Sequence, residues 1–207
     1  NVLAEGLSSG GAHCARRHLG DLRAVNRFGG FNCVEYPDAC LAFDNRKWLL
    51  LEEIFEHGPD VITLQEVDHY PSFFEPHLSR AGYDSCFEAK VDSPCIPPGF
   101  YSDGCAIFWK RDAFTALDGG RLSGRYKSIR EGGQYEGQVY LVQGLYHIPS
   151  GRKCVVGTTH LKSKSSVQNE GRRAEQVRQF LAAIQVQRSK YENCPAVFGA
   201  DLNADAY

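Results

Sequence analysis

The sequence predicts an α/β sandwich. Segments with apolar residues at helical spacing alternate with short β-rich runs, and most of those runs join as hairpins. No internal repeat, low-complexity tract or interdomain linker interrupts them, so both kinds of element belong to one layered unit.

The elements follow in order. Residues 1–43 hold Ser8-Ser9-Gly10-Gly11-Ala12 and Gly29-Gly30 with few periodic apolar positions, and read as a long loop. Asp44 offers an N-cap to a helix with Trp48, Leu51, Ile54 and Phe55 at helical spacing, ended by Gly58-Pro59. Val61-Ile62-Thr63-Leu64 is a short strand followed at once by Gln65-Glu66. A helix over about 71–80 contains Pro76 and stops at Gly82. Strands are expected at Asp84–Ala89, Cys105–Trp109, Val139–Leu145 and Cys154–Leu161, the last two joined by Pro149-Ser150-Gly151-Arg152. Glu170–Lys190 reads as a helix whose stripe is Ala174, Val177, Leu181 and Ile184. Pro195-Ala196-Val197-Phe198 closes the series as a buried strand.

Composition excludes several classes. The 207 residues carry 23 Lys+Arg against 25 Asp+Glu, a net charge of −2, which argues against a mainly electrostatic nucleic-acid binder and leaves room for a local basic site. Apolar residues at 43 % and charged residues at 23 % are ordinary globular usage, which rules out long disorder and coiled coil. At roughly 150 residues per domain the chain reads as a single domain over 1–207. No run approaches the ~18 apolar residues of a membrane-spanning helix.

The eight cysteines form no C-x-x-C pair, so neither a zinc ribbon nor a thioredoxin-type site is indicated. Several lie in apolar runs such as Gly104-Cys105-Ala106-Ile107-Phe108, where cysteine acts as a small core residue. Reduced thiols in the cytoplasm or another reducing compartment are the expectation, while the even count keeps disulfides open. The chain opens on Asn1 and contains no Met, so a trimmed domain is expected.

Three apolar strands end in polar clusters: Leu64-Gln65-Glu66, Thr158-Thr159-His160-Leu161-Lys162 and Asp201-Leu202-Asn203. If these strands share a direction in one sheet, Glu66, His160, Asp201 and Asn203 converge on one rim. Carboxylates bind a hard cation such as Mg²⁺, and a carboxylate can take a proton from an attacking water. An imidazole N–H can stabilise a phosphoryl oxygen. Asp201 and Asn203, two apart, face the same way on extended backbone. Singly, each residue is more often structural: a solvated carboxylate, a satisfied histidine, an Asx turn. Three such clusters, each closing a buried strand, are much harder to reach by accident.

Leu64-Gln65-Glu66-Val67, Thr159-His160-Leu161-Lys162 and Gly199-Ala200-Asp201-Leu202-Asn203-Ala204 resemble the successive motifs of the endonuclease/exonuclease/phosphatase superfamily. Within it, Leu64–Tyr70, Ser93-Pro94-Cys95 and Ser102–Phe108 resemble the nocturnin-like branch, close to the carbon-catabolite-repressor type of deadenylase. Asn1-Val2-Leu3-Ala4 resembles the Asn-bearing end of the family's first strand. The resemblance implies a four-layer α/β sandwich of two packed mixed sheets flanked by helices. It implies Mg²⁺, with Mn²⁺ as the alternative, held by Glu66 with Asn1 beside it. Asp201 would help activate water, Asn203 orient the phosphate, and His160 stabilise charge on it. Lys90, Lys162 and Lys164 match substrate-contacting basic positions, although Lys164 stands where the branch has Arg and lacks its bidentate fork. Asn169-Glu170-x-x-Arg173-x-x-Gln176 also resembles a family stretch, for which a supporting role is expected.

The resemblance also implies a chain incomplete at both termini, without the family's first strand and its C-terminal Asp-His segment, and inactive as it stands. Three functions remain open for the parent. One is a metal-dependent phosphohydrolase removing the 2′-phosphate of NADP(H). A second is a 3′ exoribonuclease acting on the 3′ end of poly(A), with Phe100, Tyr101 or Tyr126 as candidate stacking aromatics. The third is a catalytically inactive binding module.

Overall fold

The computed structural model describes residues 1–8, 36, 40–97, 99–128 and 132–204. Most of the stretch read as a long loop, residues 9–35 with both of its glycine pairs, lies outside the described residues.

Two sheets pack face to face. The first has the order β1 (Val61–Gln65), β3 (Gly104–Lys110), β2 (Tyr83–Ala89), antiparallel throughout. The second has the order β4 (Phe114–Ser128), β5 (Gln134–His147), β6 (Arg152–His160), β7 (Ala196–Asp201). It is mixed, because β7 runs parallel to β6. That parallel pair needs a crossover, which helix α3 (Val167–Lys190) supplies. Helices α1 (Phe43–His57) and α2 (Glu75–Arg80) cover the first sheet, and a π-helical turn over Tyr70–Phe74 leads into α2.

Strand alternation sorts the apolar side chains into three cores. Ala106 and Phe108 of β3, with Ile62 and Leu64 of β1, meet Phe43, Leu51, Phe73, Phe74 and Leu78 on the helical side. The other face of β3, Cys105, Ile107 and Trp109, meets Val139, Leu141, Leu145 and Val156 between the sheets. Beyond them Val142 and Val155 meet Phe180, Ala183 and Ile184 of α3. The layers therefore run helix, sheet, sheet, helix, which is the expected four-layer α/β sandwich.

Several local expectations are corrected. Helix α1 starts at Phe43 with Ala42 at its N-cap position, and Asp44 instead pairs with Lys47. Its inner face is Phe43 and Leu51 with Leu50 and Ile54, while Trp48 and Phe55 are half exposed. The helix expected over 71–80 opens as the π-helical turn, with prolines near the start of both pieces, where a missing N–H costs nothing. Helix α3 begins three residues before Glu170, capped by Ser166, whose hydroxyl accepts from Asn169 N at 3.0 Å. Its buried stripe is Arg173, Gln176, Phe180, Ala183, Ile184 and Gln187. The apolar stripe read from sequence was thus rotated, leaving Ala174 and Leu181 exposed. The displacing residues are polar because the first turns of α3 pack on loop backbone, where hydrogen bonds offset burial.

Strand β4 carried no usable sequence signal. Register shifts between Ala116 and Arg121 and between Arg125 and Lys127 break its alternation, and Gly119 takes a left-handed φ of 60° at the first of them.

Candidate active site

Glu66, His160 and Asp201 meet at one rim, but they do not share a sheet. Glu66 follows β1 of the first sheet, whereas His160 and Asp201 are register partners at the ends of parallel strands β6 and β7 of the second. Convergence therefore depends on how the sheets face each other. Gln65 stitches them: its buried side-chain amide donates to Thr158 Oγ1 at 2.9 Å and to Gly199 O at 3.3 Å. Close approach also requires Gly199, where a Cβ would lie 2.2 Å from Thr63 Oγ1.

Immediately after Gln65 the backbone of Glu66 turns left-handed, with φ 60°. For a non-glycine residue that conformation costs on the order of 1–3 kcal/mol, and it swings the carboxylate out of strand alternation. Glu66 Oε2 accepts from Ala4 N at 3.2 Å, and Oε1 lies 3.8 Å from His160 Nδ1, outside hydrogen-bond reach. His160 Nε2 stands 3.9 Å from Asp201 Oδ2. His160 is buried and its Nδ1 has no hydrogen-bond partner among the described residues. Burial and the nearby Lys90 ammonium pull the imidazole below its ordinary pKa, against the raising influence of Glu66 and Asp201.

Asn1 closes the rim. Its Nδ2 donates to Asp201 Oδ2 at 2.8 Å, and its Oδ1 accepts from Leu3 N at 2.9 Å. Val2 N donates to Gln65 O at 3.0 Å, so the segment runs beside the end of β1. Arg46 of α1 secures it through 2.9 Å bonds to Val2 O and Leu3 O. Burial works to raise the Asp201 carboxyl, yet hydrogen bonds from Asn1 and Asn203 N outweigh it, and the group lies below its ordinary pKa. Asn203 does not extend the strand as expected. It is left-handed, with φ 49°, and its N–H donates to Asp201 Oδ1 at 3.0 Å in an Asx-type turn. Its side-chain Nδ2 donates to Leu161 O at 3.0 Å.

A cavity of about 410 Å³ is lined by Glu66, Lys90, His160, Lys162, Asp201 and Asn203 among others. Lys90 is buried there, its Nζ 2.5 Å from Asp103 Oδ2. Lys164 and Asn1 line a neighbouring cavity of about 520 Å³ that shares Asp201 and Asn203. Arg173 Nη1 donates to Lys162 O at 2.9 Å and Lys164 O at 3.2 Å, and Gln176 Oε1 accepts from Lys162 N at 2.9 Å. These two residues thus hold the loop that carries both lysines.

Of the candidate stacking aromatics, Tyr126 is wholly buried and bonded to Thr159 Oγ1 at 2.6 Å, so it offers no face to a ligand. Tyr101 lies edge-on to His69, and neither it nor Phe100 lines the 410 Å³ cavity. The aromatic that lines it is Tyr135, exposed, with Arg125 and Lys127 within 5.5 and 5.1 Å of its ring. Sequence reasoning assigned no role to Gln65, Arg46 or Asp103. For Gln65 a signal existed: an amide just inside a strand end, directly before the key carboxylate.

The site's donor set suits a hard cation shared with a ligand rather than a cage. Glu66 Oε1 accepts no hydrogen bond among the described residues, and Asn1 Oδ1 keeps a second lone pair. No group of three His, Cys, Asp or Glu side chains forms a metal cage among the described residues. Mg²⁺ often uses one or two carboxylates and fills the remaining positions with water and phosphate oxygens.

The family model for the Endonuclease/Exonuclease/phosphatase family matches residues 39–206. The chain belongs to this family. Its relatives include nocturnin of Xenopus laevis, 36 % identical over 139 residues, covering 66 % of this chain and 34 % of that protein. Nocturnin of Drosophila melanogaster is 35 % identical over 175 residues, covering 83 % of this chain and 26 % of the relative. The chain thus spans about a quarter to a third of the length of these nocturnins. The 3′-5′-exoribonuclease subunit Ccr4 of the CCR4-Not complex from Saccharomyces cerevisiae is 32 % identical over 140 residues, 60 % of this chain and 17 % of Ccr4. Among solved structures, the human nocturnin catalytic domain with bound sulfate superimposes with TM-score 0.71 at 33 % identity, over 80 % of this chain and 59 % of that one. ANGEL2, a 2′,3′-cyclic phosphatase, shares the fold with TM-score 0.72 at 23 % identity, over 99 % of this chain and 51 % of that one. The family's name spans nucleases and phosphatases. No helix among the described residues is long and apolar enough to cross a membrane.

Proposed function

We propose that the protein of this chain is a Mg²⁺-dependent phosphoester hydrolase whose substrate is the 2′-phosphate of NADP(H). One observation carries the reading: Glu66, whose Oε1 accepts no hydrogen bond among the described residues, lines the same cavity as the buried Lys90 ammonium and the His160 imidazole. That pairing suits a dianionic group with a cation on one side and N–H donors on the other. Glu66 and Asn1 would hold Mg²⁺, or Mn²⁺ in its place. The ion would supply charge neutralisation of the phosphate.

The chain's own groups account for the rest. Asp201 Oδ2, held by Asn1 and kept ionised by its hydrogen bonds, is the base that takes the proton of a water attacking phosphorus in line, while the P–O bond to the ribose 2′-oxygen breaks and that oxygen leaves as the hydroxyl with a proton from solvent. His160, kept neutral by its lowered pKa, donates one N–H to a phosphoryl oxygen. Asn203 has a second side-chain N–H beyond the one given to Leu161 O, and offers it to the phosphate. Lys90 and Lys162 contact anionic oxygens from the cavity wall, and Lys164 from the neighbouring cavity. The human nocturnin catalytic domain, 33 % identical, is described with a bound sulfate, a tetrahedral oxyanion like phosphate.

A second reading, hydrolysis from the 3′ end of poly(A), is favoured by one feature. Tyr135 at the cavity gives an exposed ring on which a base can stack. Phosphate release from NADP⁺ and NADPH, run beside end-labelled poly(A) with Mg²⁺ or EDTA and with Glu66→Ala as control, separates the two. Metal-dependent phosphate release without RNA shortening is expected. Stepwise 3′ shortening moves the protein to the second reading, and neither activity from folded protein sinks both.

A further inference from the structure

Ser93-Pro94-Cys95 and Ser102-Asp103-Gly104 take no part in the chemistry above, yet the structure packs them together. Strands β2 and β3 pair through Ala89 and Gly104, and the ladder continues one step as Lys90 N donates to Asp103 O at 2.9 Å. Ser102 Oγ donates to Lys90 O. The Asp103 carboxylate is wholly buried and both its oxygens are occupied. Oδ2 accepts from Lys90 Nζ and Oδ1 from Ser93 Oγ, each at 2.5 Å. Ser93 Oγ in turn accepts from Cys95 N at 3.1 Å. Cys95 is buried against Gly6, where a Cβ would fall 2.5 Å from its own Cβ, so the bracket leans on the turn that follows Ala4.

A purely structural bridge would use up the ammonium. This one does not. An ammonium carries three N–H donors, and Asp103 takes one. Lys90 Nζ has no second partner among the described residues, although Lys90 is 7 % exposed and lines the cavity with Glu66 and His160. In that cavity the charged oxygen of an anion would take these donors in charge-assisted hydrogen bonds, which are stronger than those to water.

We propose that Asp103, backed by Ser93, is a positioning residue that aims the two remaining donors of the Lys90 ammonium at an anionic phosphate oxygen of the substrate. The inference rests on the phosphoester reading for its ligand. It ties both sequence stretches to the site, and it explains why a fully buried acid stands one residue before β3.

The test uses protein with ¹⁵N-labelled lysine side chains, titrated with inorganic phosphate in the presence of Mg²⁺. The wild type, Asp103→Asn, Ser93→Ala, Lys90→Met and the double variant Lys90→Met/Asp103→Asn are compared. In the wild type a Lys90 Nζ resonance protected from water exchange is expected, and it moves with phosphate. In Asp103→Asn that resonance is lost to exchange, and phosphate affinity falls roughly 10- to 100-fold. The double variant binds phosphate no more weakly than Lys90→Met, because Asp103 acts through Lys90. Ser93→Ala, which keeps the ion pair, shows a smaller loss of the same kind and serves where Asp103→Asn fails to fold. Wild-type affinity in Asp103→Asn overturns the proposal, and so does full additivity in the double variant or a Lys90 resonance indifferent to phosphate. A protein that splits no phosphoester, yet shows the Asp103-dependent response, sinks the functional reading and leaves Asp103 its role.

Discussion

Asn1 Nδ2 donates to Asp201 Oδ2 at 2.8 Å across 200 positions of sequence. The bond joins the start of the chain to the end of β7 and holds the carboxylate proposed as the base. Its loss in Asn1→Ala is expected to lower stability by roughly 0.5–1.5 kcal/mol. That corresponds to a fall in Tm of about 2–4 °C per kcal/mol at this size. Asn1→Asp sets two carboxylates together and destabilises further, and Mg²⁺ restores more of its Tm than it adds to the wild type. Thermal unfolding with and without Mg²⁺ checks this. A Tm of Asn1→Asp that Mg²⁺ leaves unmoved counts against a cation between these side chains.

Gln65 provides the second prediction. Its amide bonds Thr158 Oγ1 and Gly199 O, tying the end of β1 to β6 and β7. Gln65→Leu keeps the volume and strands the wholly buried Thr158 hydroxyl, at a cost of roughly 1–3 kcal/mol. Because Glu66 is the next residue, the Mg²⁺-dependent activity proposed above should fall by more than stability explains. Activity measured well below the Tm of the variant separates the two effects. Unchanged turnover there would mean that Glu66 holds its position without the stitch.

Much of this fold was legible in sequence, and the failures have physical causes. The motif ends read as Glu66, His160, Asp201 and Asn203 do meet at one rim. Their apolar strands are short, and a polar residue closing such a strand marks its end. That they meet across two sheets was not legible, since strand alternation says which face is buried and not which sheet lies opposite. Periodicity misplaces the stripe of α3 because it weighs only apolar residues, whereas Arg173 and Gln176 are buried by hydrogen bonds to the Lys162–Lys164 loop. Strand β4 escaped because glycines and bulges erase alternation. Asp103 carried no reading of its own, since a buried acid and a solvated one look alike until the partner lysine, thirteen residues back, is placed beside it.

The cysteines yield a third prediction. Burial pushes the thiols of Cys86, Cys95 and Cys105 up to about 12. At pH 8 only about one in ten thousand of each is then thiolate, the reactive form. Iodoacetamide added to native protein should leave these three unmodified over hours, and all three should react fully in guanidinium chloride. Peptide mapping by mass spectrometry reads this residue by residue. Native alkylation of Cys105 within minutes would mean that the layer between the sheets opens far more readily than its packing implies.

The fourth prediction concerns the contact that brings the sheets close enough for the site to form. A Cβ at Gly199 would lie 2.2 Å from Thr63 Oγ1 but 3.4 Å from Thr63 Cβ. The obstacle is therefore the hydroxyl, not the backbone. Gly199→Ala should push β7 away from β1 and destabilise by roughly 1–3 kcal/mol, the range for overpacking a tight contact. Thr63→Ala removes the obstructing atom and should recover a large part of that loss, so the two substitutions are strongly non-additive. Activity should follow the same pattern, because Asp201 lies two residues beyond Gly199 and Glu66 three beyond Thr63. Urea unfolding of both single variants and the double variant measures the coupling. Simple additivity would show that the sheets accommodate the methyl by another route, and that the Gly199–Thr63 contact does not set their spacing at the rim.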